Sequence, residues 1–129
     1  MDIFFETIWA GDYWSCACDS TTAAVFMFAD EGSWSSFWEG SLGLFSPPPV
    51  VDFEHEVVLA LLDKVEPRST GVEIESVRRE MDRIVVRATR RTGCWEMWFP
   101  TPPFRPYHFV RINRRLAPVD LLMTDIPCR

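Results

Sequence analysis

Val72-Glu73-Ile74-Glu75 and Arg83-Ile84-Val85-Val86-Arg87-Ala88 decide the fold. In the first stretch, apolar and acidic side chains alternate. In the second, Ile84, Val86 and Ala88 alternate with Arg83, Val85 and Arg87. A period of two is the signature of a strand with one buried face. Paired antiparallel with Glu73 opposite Arg87, Ile74 lies opposite Val86. Apolar side chains then meet on one face and opposite charges on the other. The two stretches predict a hairpin.

Working outward, Glu56–Asp63 is apolar throughout and β-branched at its start, which predicts a strand covered on both faces. The loop 64–71 follows, with Pro67 and a Ser-Thr-Gly turn signal. Ile3–Trp9 and His108–Asn113 read as strands, Ala23–Ala29 as a buried one, and Leu116–Met123 as a last strand or edge element. Prolines 100, 102, 103 and 106 predict an extended loop, since proline cannot sit in a central strand. Trp34, Phe37, Trp38 and Leu42 share one helical stripe, which predicts a short helix over 33–42. Ser33 is its expected N-cap, and Asp30 and Glu31 lie at the positive end of its dipole. The expected fold is α+β within a single domain, 1–129. It is a curved, mainly antiparallel β-sheet or barrel-like sandwich with one short helix.

Composition narrows the function classes. The chain has 129 residues with net charge −6, 47% of them hydrophobic and 25% charged. These values suit one globular domain. No apolar run is long enough for a membrane span. No signal peptide is visible at the N-terminus, so a cytoplasmic location and reduced thiols are the default expectations. Residues 1–63 hold 11 carboxylates and no Lys or Arg, whereas the remainder is rich in arginine. Glu73, Glu75, Glu80 and Asp82 interrupt the arginines, which argues against a nucleic-acid face. The two halves either neutralise each other within one chain or pair across a dimer. Cys16 and Cys18 are spaced too closely for a zinc half-site, and no second pair follows, so no metal or cofactor is expected. Cys94 and Cys128 could bridge.

Val51-Asp52-Phe53, Val57-Val58-Leu59-Ala60, the Pro67 loop with Thr70-Gly71, Val72-Glu73-Ile74-Glu75 and Pro106-Tyr107-His108-Phe109-Val110-Arg111-Ile112 form a recognisable series. Over about residues 50–113 the chain resembles the PrcB C-terminal domain, a bacterial protease-complex subunit family. Asp52, Phe53, Tyr107, His108 and Arg111 occupy motif positions of that pattern. The resemblance implies a non-enzymatic protein-binding or assembly module with a protein partner, such as a peptidase. Members of the family are usually exported.

Two other functions are weighed against that one. A protease-inhibitor-like β domain would present loops 67–71 and 100–106 to an active-site cleft. A small enzyme would need His55, His108 or the acids Asp52, Glu54 and Glu56. Alternation places His55 on the face opposite Glu54 and Glu56, and no catalytic motif is present. Trp95, Trp98, Phe99, Phe104 and Arg105, with Thr70 and Gly71, form the candidate partner-binding set. Tryptophan beside arginine is the composition of interface anchors. Trp95 and Trp98 either meet a partner, including a second copy in a homodimer, or fold over their own sheet.

Overall fold

The computed structural model of the chain describes residues 1–13, 23–41, 47–63, 69–92 and 105–127. Its elements are β1 (Phe5–Tyr13), β2 (Ala24–Phe28), helix α1 (Glu31–Ser36) running into a π-helical turn (Phe37–Ser41), β3 (Glu56–Leu62), β4 (Ser69–Glu80), β5 (Arg83–Thr92), β6 (Arg105–Asn113) and β7 (Val119–Pro127). They form two sheets that do not close into a barrel. The first has strand order β1-β6-β3-β2 and is antiparallel throughout. The second has order β4-β5-β7, with β4–β5 antiparallel and β5–β7 parallel. The expected α+β sandwich with one short helix is the observed fold.

The first sheet is covered on both faces, and β3 shows why its sequence is continuously apolar. Val57, Leu59 and Leu61 face the second sheet and pack with its Ile74, Val77, Ile84, Val86 and Ala88, together with Val110 and Ile112 of β6. Val58, Ala60 and Leu62 point the other way, into a second cluster with Trp34, Trp38, Tyr107 and Phe109. The helix that supplies Trp34 and Trp38 lies over that outer face, as its sequence stripe predicts. Leu42 lies outside the described residues. β2 is less buried than its composition suggests. It is an edge strand, and Phe26 stays 44% exposed.

The hairpin exists, but its register differs from the expected one. Ile74 faces Ala88 and Glu73 faces Thr89, not Val86 and Arg87. There are two physical causes. The turn lies at Met81-Asp82, with Glu80 opposite Arg83. In addition, a bulge between Ile74 and Ser76 adds a residue to β4. Simple alternation would send residues 74 and 77 to opposite faces. The bulge resets the parity, so Val72, Ile74 and Val77 all reach the core.

Met81 has φ 57° and is the only non-glycine residue with positive φ among those described. Its side chain is 92% exposed, so nothing in the core requires methionine there. Met81→Gly is therefore expected to stabilise the fold by about 1 kcal/mol, because glycine adopts this conformation without the Cβ penalty. Urea denaturation at neutral pH checks it; an unchanged midpoint would show that the turn carries no such cost.

Other boundaries shift for local reasons. Asp30, not Ser33, caps the helix: its Oδ1 accepts the Ser33 N–H at 2.7 Å. That bond holds the Asp30 carboxyl below the usual carboxylate range. β1 starts at Phe5 rather than Ile3, because the segment before it pairs with β4: Ile3 N–H donates to the Val77 carbonyl. Ser69–Gly71, expected in a loop, belongs to β4. Pro106 lies inside central strand β6. It is tolerated as the strand's second residue, where its carbonyl accepts the Asp63 N–H. Leu116–Met123 resolves as the edge strand β7, which begins at Val119.

Candidate functional site

The family-motif positions spread over three different environments. His108 is buried between the sheets, 5% exposed. Its Nδ1 accepts the Ile74 N–H at 2.8 Å, and Thr7 Oγ1 lies 2.7 Å from its Nε2. An amide can only donate, so Nδ1 is unprotonated and Nε2–H donates to Thr7. The imidazole thus ties β1 to the bulged part of β4. Burial pushes its pKa down, offset in part by the charge of Glu73.

That depression fixes a pH dependence. The unfolded chain takes up a proton on this histidine near pH 6.5, whereas the folded chain resists it until lower pH. Stability is therefore expected to fall as pH drops below about 6.5. His108→Gln should flatten that part of the profile. Urea midpoints measured between pH 7.5 and 5.5 test this, and equal slopes for both proteins would contradict it.

Tyr107 faces the helix side, where its hydroxyl accepts Trp9 Nε1–H at 2.8 Å. Arg111 bridges neighbouring strands, 2.9 Å from Glu6 and 3.6 Å from Glu56. Phe53 packs against the outer cluster, and its carbonyl accepts from Arg114.

Asp52 and His55 lie in a turn, not a strand, which corrects the expected alternation. His55 Nδ1 is 2.7 Å from Asp52 Oδ2, and this bond holds the Asp52 carboxyl below its ordinary range. The Asp52 carbonyl accepts the His55 and Glu56 N–H groups, and its Oδ1 accepts that of Glu54. The ligating atoms of Asp52, Glu54 and His55 lie within 4.8 Å of one another, all exposed. Glu56 turns instead to Arg111, so the three acids do not converge. Asp52 is a turn-building residue.

Of the candidate partner-binding set, Trp95, Trp98, Phe99 and Phe104 lie outside the described residues, as do Pro67 and the four cysteines. Arg105 and Gly71 are strand residues, and Thr70 lies beside the register shift between Ser69 and Gly71. Part of the uneven charge, by contrast, is neutralised within the chain. Asp2–Arg78, Glu6–Arg111, Glu56–Arg111 and Asp63–Arg90 each join an acid of the first half to an arginine of the second.

Sheet edges provide the most distinctive surface, because an open edge presents unpaired backbone groups that proteins normally protect. β1 is interrupted by a register shift between Thr7 and Trp9. β2 has only five residues. The free flank of β4 is covered by the N-terminal segment, through the Asp2–Arg78 bridge and the bond from Arg79 N–H to the Met1 carbonyl.

Among the described residues, β7 has none of these protections. It runs nine residues in unbroken register with β5, and no described strand pairs with its other flank. It contains no Lys or Arg, and its proline is the last residue. Both of its acids are neutralised by its own sheet. Asp120 takes two bonds from Arg83, at 2.6 and 2.7 Å, and Asp125 pairs with Arg90 at 2.9 Å. Leu122 is 46% and Ile126 37% exposed on this strand. Val119, Leu121 and Met123, which lean on the core, are only partly buried.

No protein-family model matches the chain, and neither curated proteins nor solved structures give a significant match.

Proposed function

We propose that this chain is a non-enzymatic protein-binding module that takes an extended segment of its partner along β7. The carrying observation is that β7 is long, regular and apolar, with both of its acids already paired. A strand added there satisfies its own backbone through main-chain hydrogen bonds, while Leu122 and Ile126 offer contacts for alternate side chains. The resemblance of residues 50–113 to the PrcB C-terminal domain supports the same class of function and makes a peptidase the first partner to test.

The test selects extended peptides from a random library on the immobilised full chain, then measures one by fluorescence anisotropy. Leu122→Lys and Thr124→Lys place a charge on exposed positions of β7 without entering the core. Each is expected to weaken the selected peptide at least tenfold. Failure to select any peptide, or selected peptides that bind both variants as tightly as the parent, would rule β7 out.

A further inference from the structure

We infer that the strand β7 accepts is β7 of a second copy, joined antiparallel about a two-fold axis into one continuous six-stranded sheet. This rests on the reading of β7 as a strand-accepting edge and adds the identity of the occupant.

Charge and side-chain pattern single out the second copy. In an antiparallel pair, residues directly opposite share a face of the sheet. In a two-fold pair of identical strands, opposed residues therefore have the same parity. Asp120 and Asp125 differ in parity, so they cannot oppose each other in any such register. Each meets its own copy only if the pairing slides toward one end of the strand. With the axis at Leu122, Leu122 meets Leu122 on the exposed face, and Leu121 meets Met123 on the core-facing side. Asp120 then faces Thr124, and Asp125 faces Val119.

Every central pairing thus sets apolar against apolar or leaves an acid held by its own arginine. The core-facing row Val119, Leu121 and Met123, incompletely covered at the sheet's edge, gains the neighbours it lacks. β2 borders the other sheet on the same flank, in contact with β7, and its Val25 and Met27 pack against the same core. Interfaces built from one patch meeting itself are the common form of soluble homodimers.

Sedimentation equilibrium on the full chain, with amide hydrogen exchange read at β7, decides the matter. The parent is expected to dimerise at micromolar concentration, and the β7 amides should gain at least tenfold protection as the dimer fills. Leu122→Lys and Thr124→Lys should each raise the dissociation constant at least tenfold, with circular dichroism confirming that the variants stay folded. Val50→Lys, at a 91% exposed site outside β7, should leave the constant unchanged. A parent that stays monomeric to 100 μM (roughly two decades above a micromolar constant), or a dimer whose β7 amides stay unprotected, overturns self-pairing. The peptide selection is independent of that result. Peptides captured along β7 by a monomeric parent would leave the edge-binding function standing while removing the second copy as occupant.

Discussion

Asp63→Ala is expected to destabilise the fold by about 3–5 kcal/mol, since removing one partner of a buried ion pair strands the other. Asp63 is fully buried at the end of β3 and accepts three hydrogen bonds from Arg90, at 2.6 to 3.0 Å. Arg90 continues the inward row Ile84, Val86 and Ala88 of β5, so the pair clasps the two sheets at one end of the core. That contact also raises the arginine's affinity for its proton. Asp125→Ala removes the arginine's other, 62% exposed partner and should cost under about 1 kcal/mol. Replacing both clasp residues, as Asp63→Leu with Arg90→Met, should recover most of the loss, because a packed apolar pair has no buried charge to satisfy. Urea denaturation of the four proteins measures all of this. Equal costs for Asp63→Ala and Asp125→Ala would show that the buried contact contributes no more than the exposed one.

Trp34→Ala carries the other large effect, about 3–5 kcal/mol through the cavity left in the outer cluster. Trp34 is fully buried, with its ring 5.6 Å from Phe28 and Trp38 and 5.7 Å from Phe109. Its Nε1 donates to the Pro49 carbonyl at 3.2 Å, which fastens the segment after the helix. Trp34→Phe retains most of the ring but gives up that bond. It should fall well short of the alanine variant, by roughly half. Thermal unfolding followed by tryptophan fluorescence separates the two. Similar midpoints for both variants would place the main contribution in the hydrogen bond rather than the packing.

Strong periodicity was legible. β3 announces burial on both faces through an unbroken apolar run, and the Trp34/Trp38 stripe announces a helix lying on a sheet. What escaped depended on contacts between distant residues. The turn at Met81-Asp82 carries no glycine or proline to mark it, so a pairing centred elsewhere gives the wrong partner throughout β4, and the bulge at residue 75 changes that offset by one for the residues before it. Arg90 carried a usable signal, since it extends the row 84, 86, 88 that points inward. Taken alone, however, an arginine at the end of a strand looks solvated. Its partner Asp63 likewise looks like a strand terminator until the second sheet covers it. The resemblance that singled out Asp52 and His108 identified residues with structural duties: one builds a turn, and the other links the sheets. Leu116–Met123 was legible as a last strand or edge element, but its extent to Pro127 was not, because the parallel pairing with β5 that sets it is non-local.

The place of β1 has a consequence for synthesis. Phe5 pairs with Ile112 and Ala10 with His108, so the first strand finds its partner only after roughly 100 further residues have been made. At about 5–20 residues per second, β1 leaves the ribosome and waits of order ten seconds with its apolar side chains uncovered. The strand that ends this delay is also the one β3 needs, because β6 lies between them. Nascent chains stalled before residue 105 should thus leave β1 without its partner and β3 paired with β2 alone, and they are the species a chaperone would hold.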